Sequence, residues 1–142
     1  MTSEFETRQY RPKITEMKGD INKGSGWFLR RAEGVAFNKP HLLMPSLEKE
    51  ILKHYPTLLD FSYKVRHQEV IQAKRLFIFF CMTYFKLTSK FVANYLNLER
   101  STLSHHCHVI LNELDIYPQT QQIAFKIDQY LYKRSEDEAL RD

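Results

Sequence analysis

The chain has 142 residues, 43% of them hydrophobic and 13% aromatic, which suits one domain with a real core and excludes global disorder. Its net charge is +4 and its pI about 9.0, a balance that permits a polyanionic partner without demanding one. Two cysteines, Cys81 and Cys107, make no disulfide framework, so a reducing, cytoplasmic setting is expected.

Residues 1–40 hold all four glycines, Gly19, Gly24, Gly26 and Gly34, and show no sustained helical period. They predict a loosely structured N-terminal arm with a short ordered piece at "GWFLRRAEG". Arg30 and Arg31 make this arm a candidate contact for a protein partner. The plainer expectation is that Trp27 and Phe28 rest on the domain. The opening "MTSEFETRQYRPK" is polar and charged, unlike a secretory signal. The stretch "GDINKGSG" approaches a phosphate loop but lacks the Gly-Lys-Ser/Thr step and a preceding strand, so no nucleotide is expected.

From residue 41 to 134 the signals are those of a helical domain. "PSLEKEILKHYP" predicts a helix with Ser46 as N-cap and Leu47, Ile51 and Tyr55 on one face, ended by Pro56. "TLLDF" suggests one further short turn. Residues 69–85, "EVIQAKRLFIFFCMTYF", are apolar around most of the helix and predict a central, buried element. Its apolar run, "LFIFFCMTYF", is about half the length a membrane span needs. Thr88 or Ser89 caps "SKFVANYL", the next helix runs from about Ser101 to Leu114, and Pro118 starts a last one with Ile123, Ile127, Tyr130 and Leu131 on one face. No segment alternates with period two, so the fold class is all-α, a bundle of about five to six helices. Residues 135–142, with four acids against Arg141, read as an acidic tail.

"SKFVANYLNLERSTLSHHCHVIL" has the marks of a helix-turn-helix. Ala93 is small where two helices must approach. Asn97 suits a left-handed turn residue, and Leu103 begins the buried stripe of the second helix, which continues through Cys107, Ile110, Leu111 and Leu114. At about 100° per residue, Ser101, His105, His108 and Asn112 fall on the opposite face, and His106 at the buried edge. The run His105-His106-Cys107-His108 therefore does not converge as a metal site would require, and Cys107 is expected as a small core residue rather than a nucleophile. The charge is also uneven. Residues 61–111 carry seven Lys/Arg (Lys64, Arg66, Lys74, Arg75, Lys86, Lys90 and Arg100) against Glu69 and Glu99, with four of the six histidines. A second helix with an exposed, hydrogen-bonding, acid-poor face in a basic segment points to double-stranded DNA.

At this point "FKLTSKFVANYLNLERSTLSHHCHVILNEL" resembles the C-terminal DNA-binding domain of the bacterial replication initiator DnaA. That family's signature has a helix, a glycine-rich turn, an Asp-His-Thr-Thr cluster and a helix with His-Ala-Cys-Arg-Lys-Ile. The cluster corresponds to Glu99-Arg100-Ser101-Thr102 and the later part to His105-His106-Cys107-His108-Val109-Ile110. Upstream, a helix ending in "HYP", a short "LLDF" helix, a basic loop "YKVRH" and a long buried helix follow the same order, so the likeness covers about residues 45–134.

The resemblance implies a Trp-repressor-like fold that binds duplex DNA. It implies that Glu99, Arg100 and Ser101 read bases, with Thr102 beside them, and that Arg66 enters the minor groove. Lys64, His67, Lys86, Lys90, Ser104, His105 and His108 are the expected backbone or supporting contacts. The departures imply a different recognition sequence. Arg100 replaces a histidine and favours guanine, Leu96 and Asn97 replace two glycines, and His108-Val109 replaces an Arg-Lys pair, which makes affinity pH-sensitive through His105 and His108. The family's ATPase module has no counterpart here. The expectation is thus a stand-alone bacterial or phage regulator of replication or transcription, not an enzyme, with no cofactor, no metal and no membrane contact. The alternatives are a helix-turn-helix regulator of another family and a protein-interaction module.

Overall fold

The computed structural model describes residues 24–56, 58 and 68–141. Among these the chain forms six α-helices and a short 3-10 turn, with no strand. The helices are α1 (Ser25–Glu33), α2 (Met44–Leu52, following the 3-10 turn Pro40–Leu43), α3 (Gln68–Thr83), α4 (Ser89–Leu96), α5 (Arg100–Ile116) and α6 (Pro118–Arg141). The protein is an all-α bundle, as its periodicities predict. The expected turn at "TLLDF" and the basic loop "YKVRH" lie outside the described residues, apart from buried Leu58.

Helix α3 is the axis of the bundle. Six consecutive residues, Leu76 to Cys81, are buried, which a helix can manage only when neighbours cover every side. Here α2, α4 and α5 supply that cover. Burying a Phe, Leu or Ile side chain stabilises by about 1.5–3 kcal/mol, well above the cost of about 0.5 kcal/mol that a phenylalanine or isoleucine adds to a helix relative to alanine. Packing therefore overrides local propensity in this segment. No helix among the described residues is long and apolar enough to cross a membrane.

Three expectations need correction. First, Ser46 is not an N-cap. Helix α2 starts at Met44, directly from the 3-10 turn, with Pro45 in its first turn and no side-chain cap. Proline suits that position because its missing N–H would have no partner there anyway. Second, the arm's boundary at residue 40 falls too late: the short ordered piece expected at "GWFLRRAEG" is helix α1, and Trp27 and Phe28 rest on the domain as expected. Trp27, Phe28, Ala32 and Val35 are all buried, and Trp27 packs against Phe125 at 5.5 Å between ring centroids. Third, residues 135–141 are not a separate tail but the last turns of α6. There Ser135 bonds both backbone groups of Ala36, and Glu138 accepts from the Asn38 N–H at 3.0 Å.

The partners of α1 explain why so short a glycine-flanked segment is helical. Asp115 of α5 caps its N-terminus, accepting from the Ser25 N–H at 2.8 Å and the Ser25 hydroxyl at 3.0 Å. A carboxylate there meets the positive end of the helix dipole. At the other end, the Lys86 ammonium donates to the carbonyls of Ala32 (3.1 Å) and Val35 (2.9 Å). Between them, Arg31 makes a two-pronged contact with Asp128 of α6, closing to 2.9 Å, and stacks on Tyr132 at 3.6 Å. Asp128 is fully buried and also accepts from the Tyr84 hydroxyl at 2.6 Å. Burial alone would lower the Arg31 pKa, but the hydrogen bonds and charge of Asp128 outweigh that and raise it. Burial, then the neighbouring carboxylate, pushes the Tyr84 phenol far above its ordinary value, so it stays a donor.

Candidate nucleic-acid interface

Helices α4 and α5 form the helix-turn-helix unit. Thr88 caps α4, its hydroxyl accepting from the Phe91 N–H at 3.2 Å. Asn97 ends it in the left-handed conformation, φ 57° and ψ 48°. That turn lets the Leu98 N–H reach back to the Ala93 carbonyl at 2.9 Å, closing orphan carbonyls at the helix end. Ala93 is buried at the point of approach. Helix α5 then starts at Arg100 from Glu99, an extended N-cap residue whose side chain makes no capping bond. The carboxylate of Glu99 is thus left available.

Along α5 the inward stripe is as expected in its fully buried members, Leu103, Ile110 and Leu114, while Cys107 and Leu111 are half-buried. Cys107 lies 3.5 Å from the Met82 sulfur, and burial raises its thiol pKa, which keeps it protonated and unreactive. Arg100, Ser101, Thr102, Ser104, His105, His108 and Asn112 are all exposed. So the helix separates the histidine-cysteine run. His105 and His108 face out, Cys107 meets Met82, and His106 is half-buried with Nδ1 accepting from Arg75 Nε at 3.1 Å. Among the described residues, no three His, Cys, Asp or Glu side chains gather as metal ligands.

The expected site residues divide into three groups. Glu99, Arg100, Ser101 and Thr102 lie together at the turn and first turn of α5. Ser104, His105 and His108 continue the same exposed surface, and Lys90 is exposed in the first turn of α4. Lys86 is turned to the carbonyls at the end of α1, from a left-handed backbone with φ 56°, so its charge already serves the fold. Arg66, Lys64 and His67 lie outside the described residues.

Two features were not expected. Phe91 and Tyr95, the large aromatic side chains of α4, are 43% and 41% exposed. Only Val92 and Ala93 of that short helix reach the core fully. Tyr95 stacks on Phe77 at 5.5 Å and donates to Glu48 at 3.3 Å, and burial, then Glu48, raises its pKa to about 12. Arg75, counted with the basic surface, instead points at α5. Besides His106 it meets Glu113 at 3.2 Å. No sequence signal marks a lysine or arginine as inward-facing except its helical phase, which in an all-round apolar helix such as α3 is uninformative.

Compared with protein-family models, with curated proteins and with solved structures, the chain matches none.

Proposed function

We propose that this protein binds double-stranded DNA sequence-specifically through α5 and the turn before it, and thereby regulates replication or transcription. The observation that carries the reading is the exposed, acid-poor face of α5. Arg100, Ser101, Thr102, Ser104 and His108 are solvent-facing and tied to no other described side chain, behind a turn whose left-handed Asn97 sets the angle between two helices. In such units the N-terminal residues of the second helix reach base edges in the major groove. Arg100 offers a two-pronged donor to guanine, Glu99 an acceptor for cytosine N4, and Ser101 and Thr102 hydroxyls that suit either partner. Lys90, at the start of α4, supplies a phosphate contact. The resemblance to the DnaA DNA-binding domain supports the same assignment and extends it to the basic loop with Arg66.

The test is titration of duplexes chosen by selection from random sequence, against scrambled competitor and at several salt concentrations. Arg100→Ala is expected to cost about 1–3 kcal/mol on the preferred site and to relax specificity with the salt slope unchanged. Lys90→Ala weakens binding to all duplexes and flattens the slope by about one unit. Equal behaviour of the two variants overturns the division of roles, and no duplex binding at low salt overturns the function. One observation favours a second reading, a protein-interaction module. Leu42 and Phe91 are exposed large apolar side chains, and the His41 ring meets Phe91 edge-on at 6.4 Å.

A further inference from the structure

We infer that Arg75 is a positioning residue for the reading helix: from α3 it grips His106 and Glu113 of α5 and so fixes the orientation at which the opposite face of α5 meets DNA. The inference rests on the DNA-binding reading above. Arg75 belongs to the basic segment and would ordinarily be counted as a phosphate contact. Its geometry says otherwise. Its side chain is 17% exposed and that of Glu113 12%, too covered for a strand of DNA to reach the guanidinium freely. One edge, Nε, donates to His106 Nδ1 at 3.1 Å, and Nη1 donates to Glu113 Oε2 at 3.2 Å.

His106 and Glu113 stand seven positions apart, two helical turns along one side of α5. A rigid planar fork engaged at both points resists sliding of α5 along its axis and rotation about it, where apolar packing alone is tolerant. His106 can accept because it is neutral. Burial first, then the charge of Arg75, lower its pKa to about 4. Its neighbours in sequence, His105 and His108, lie on the outward face. Any rotation that freed His106 would therefore carry them and the cluster at 99–102 with it. Base contacts tolerate only about 0.5 Å or 10–20° of misplacement, whereas phosphate contacts through long side chains adapt. Loss of the clamp should thus erode specificity and spare the electrostatic part of binding.

The experiment uses the full chain, the duplex preferred by the unaltered protein, and a scrambled duplex, each titrated at several salt concentrations. Arg75→Met and His106→Leu are expected to reduce the preferred-to-scrambled affinity ratio at least tenfold with the salt slope unchanged. His106→Asn, which keeps an acceptor in reach of Arg75 Nε, should retain most of the ratio. A flatter slope with an intact ratio for Arg75→Met would make Arg75 a phosphate contact and overturn the inference, as would unchanged behaviour of His106→Leu. Should Arg75→Met fail to fold, the two His106 variants, which leave the Arg75–Glu113 pair in place, decide the matter alone. If the unaltered protein discriminates no duplex, the proposed function falls and the inference with it. If it discriminates and the variants do too, only the inference falls.

Discussion

Gly24 shows how one residue can depend on a contact 91 positions away. Its φ is 84° with ψ −172°, a region that only glycine enters at low cost. A Cβ there would also collide with the Asp115 carboxylate, the group that caps α1. Gly24→Ala is therefore expected to destabilise the fold by about 1–3 kcal/mol, read as a lower urea midpoint with an unchanged m-value. A midpoint equal to that of the unaltered protein would mean that the Asp115 cap does not hold the start of α1. Asn97 takes the left-handed turn for a different reason. Its short polar side chain tolerates αL better than most, and this was visible beforehand because the turn follows directly from local chain chemistry. Gly24 was not foreseen as anything but a loop residue, because its constraint comes from Asp115.

At the scale of elements, legibility followed the range of the forces. Helices α3, α4 and α5 announce themselves by periodicity, and the restart at Pro118 by proline chemistry. Helix α1 does not. Its N-cap, its C-terminal cation and its central ion pair come from Asp115, Lys86 and Asp128, none of them within reach of a local pattern. The bonds of Lys86 and Arg75 across the bundle were illegible for the same reason, since a charge count cannot say which cations the fold engages. Helix α5 carries a pH signature of its packing. The folded-state pKa of His106, about 4, lies below its unfolded value of about 6.5. Between those pH values the unfolded chain binds a proton that the folded chain refuses, so stability is fully present above pH 6.5 and falls as pH drops toward 4. His54, also lowered chiefly by burial, acts in the same direction. Allowing for solvent screening of a half-buried ring, His106 should account for about 1 kcal/mol of the loss between pH 7 and pH 5. Comparing urea midpoints at the two pH values for the unaltered chain and His106→Asn measures it. Equal losses in both would remove His106 as the cause.

For the molecule as a whole, the distribution of charge sets how the proposed DNA binding would respond to solution conditions. The net charge of +4 overstates what the reading face can offer, because the Lys86 ammonium is engaged by the carbonyls at the end of α1 and Arg75 by His106 and Glu113, and no lysine or arginine follows Arg100 on α5. The two outward histidines, His105 and His108, lie on that same exposed face. A phosphate beside an imidazole favours its protonated form, so binding takes up protons, and affinity rises as pH falls through the range where histidine gains charge. Between pH 8 and pH 6, duplex affinity is expected to increase at least severalfold. The slope of log K against log salt should steepen by about one unit for each histidine that becomes a charged phosphate contact. His105→Gln/His108→Gln keeps hydrogen-bonding capacity but cannot gain charge, and should show neither change while retaining the specificity set by the cluster at 99–102. An affinity that is flat with pH in the unaltered protein would place the phosphate contacts elsewhere, on Lys90 and the basic loop. A pH response that persists in the double variant would move the titrating group off α5.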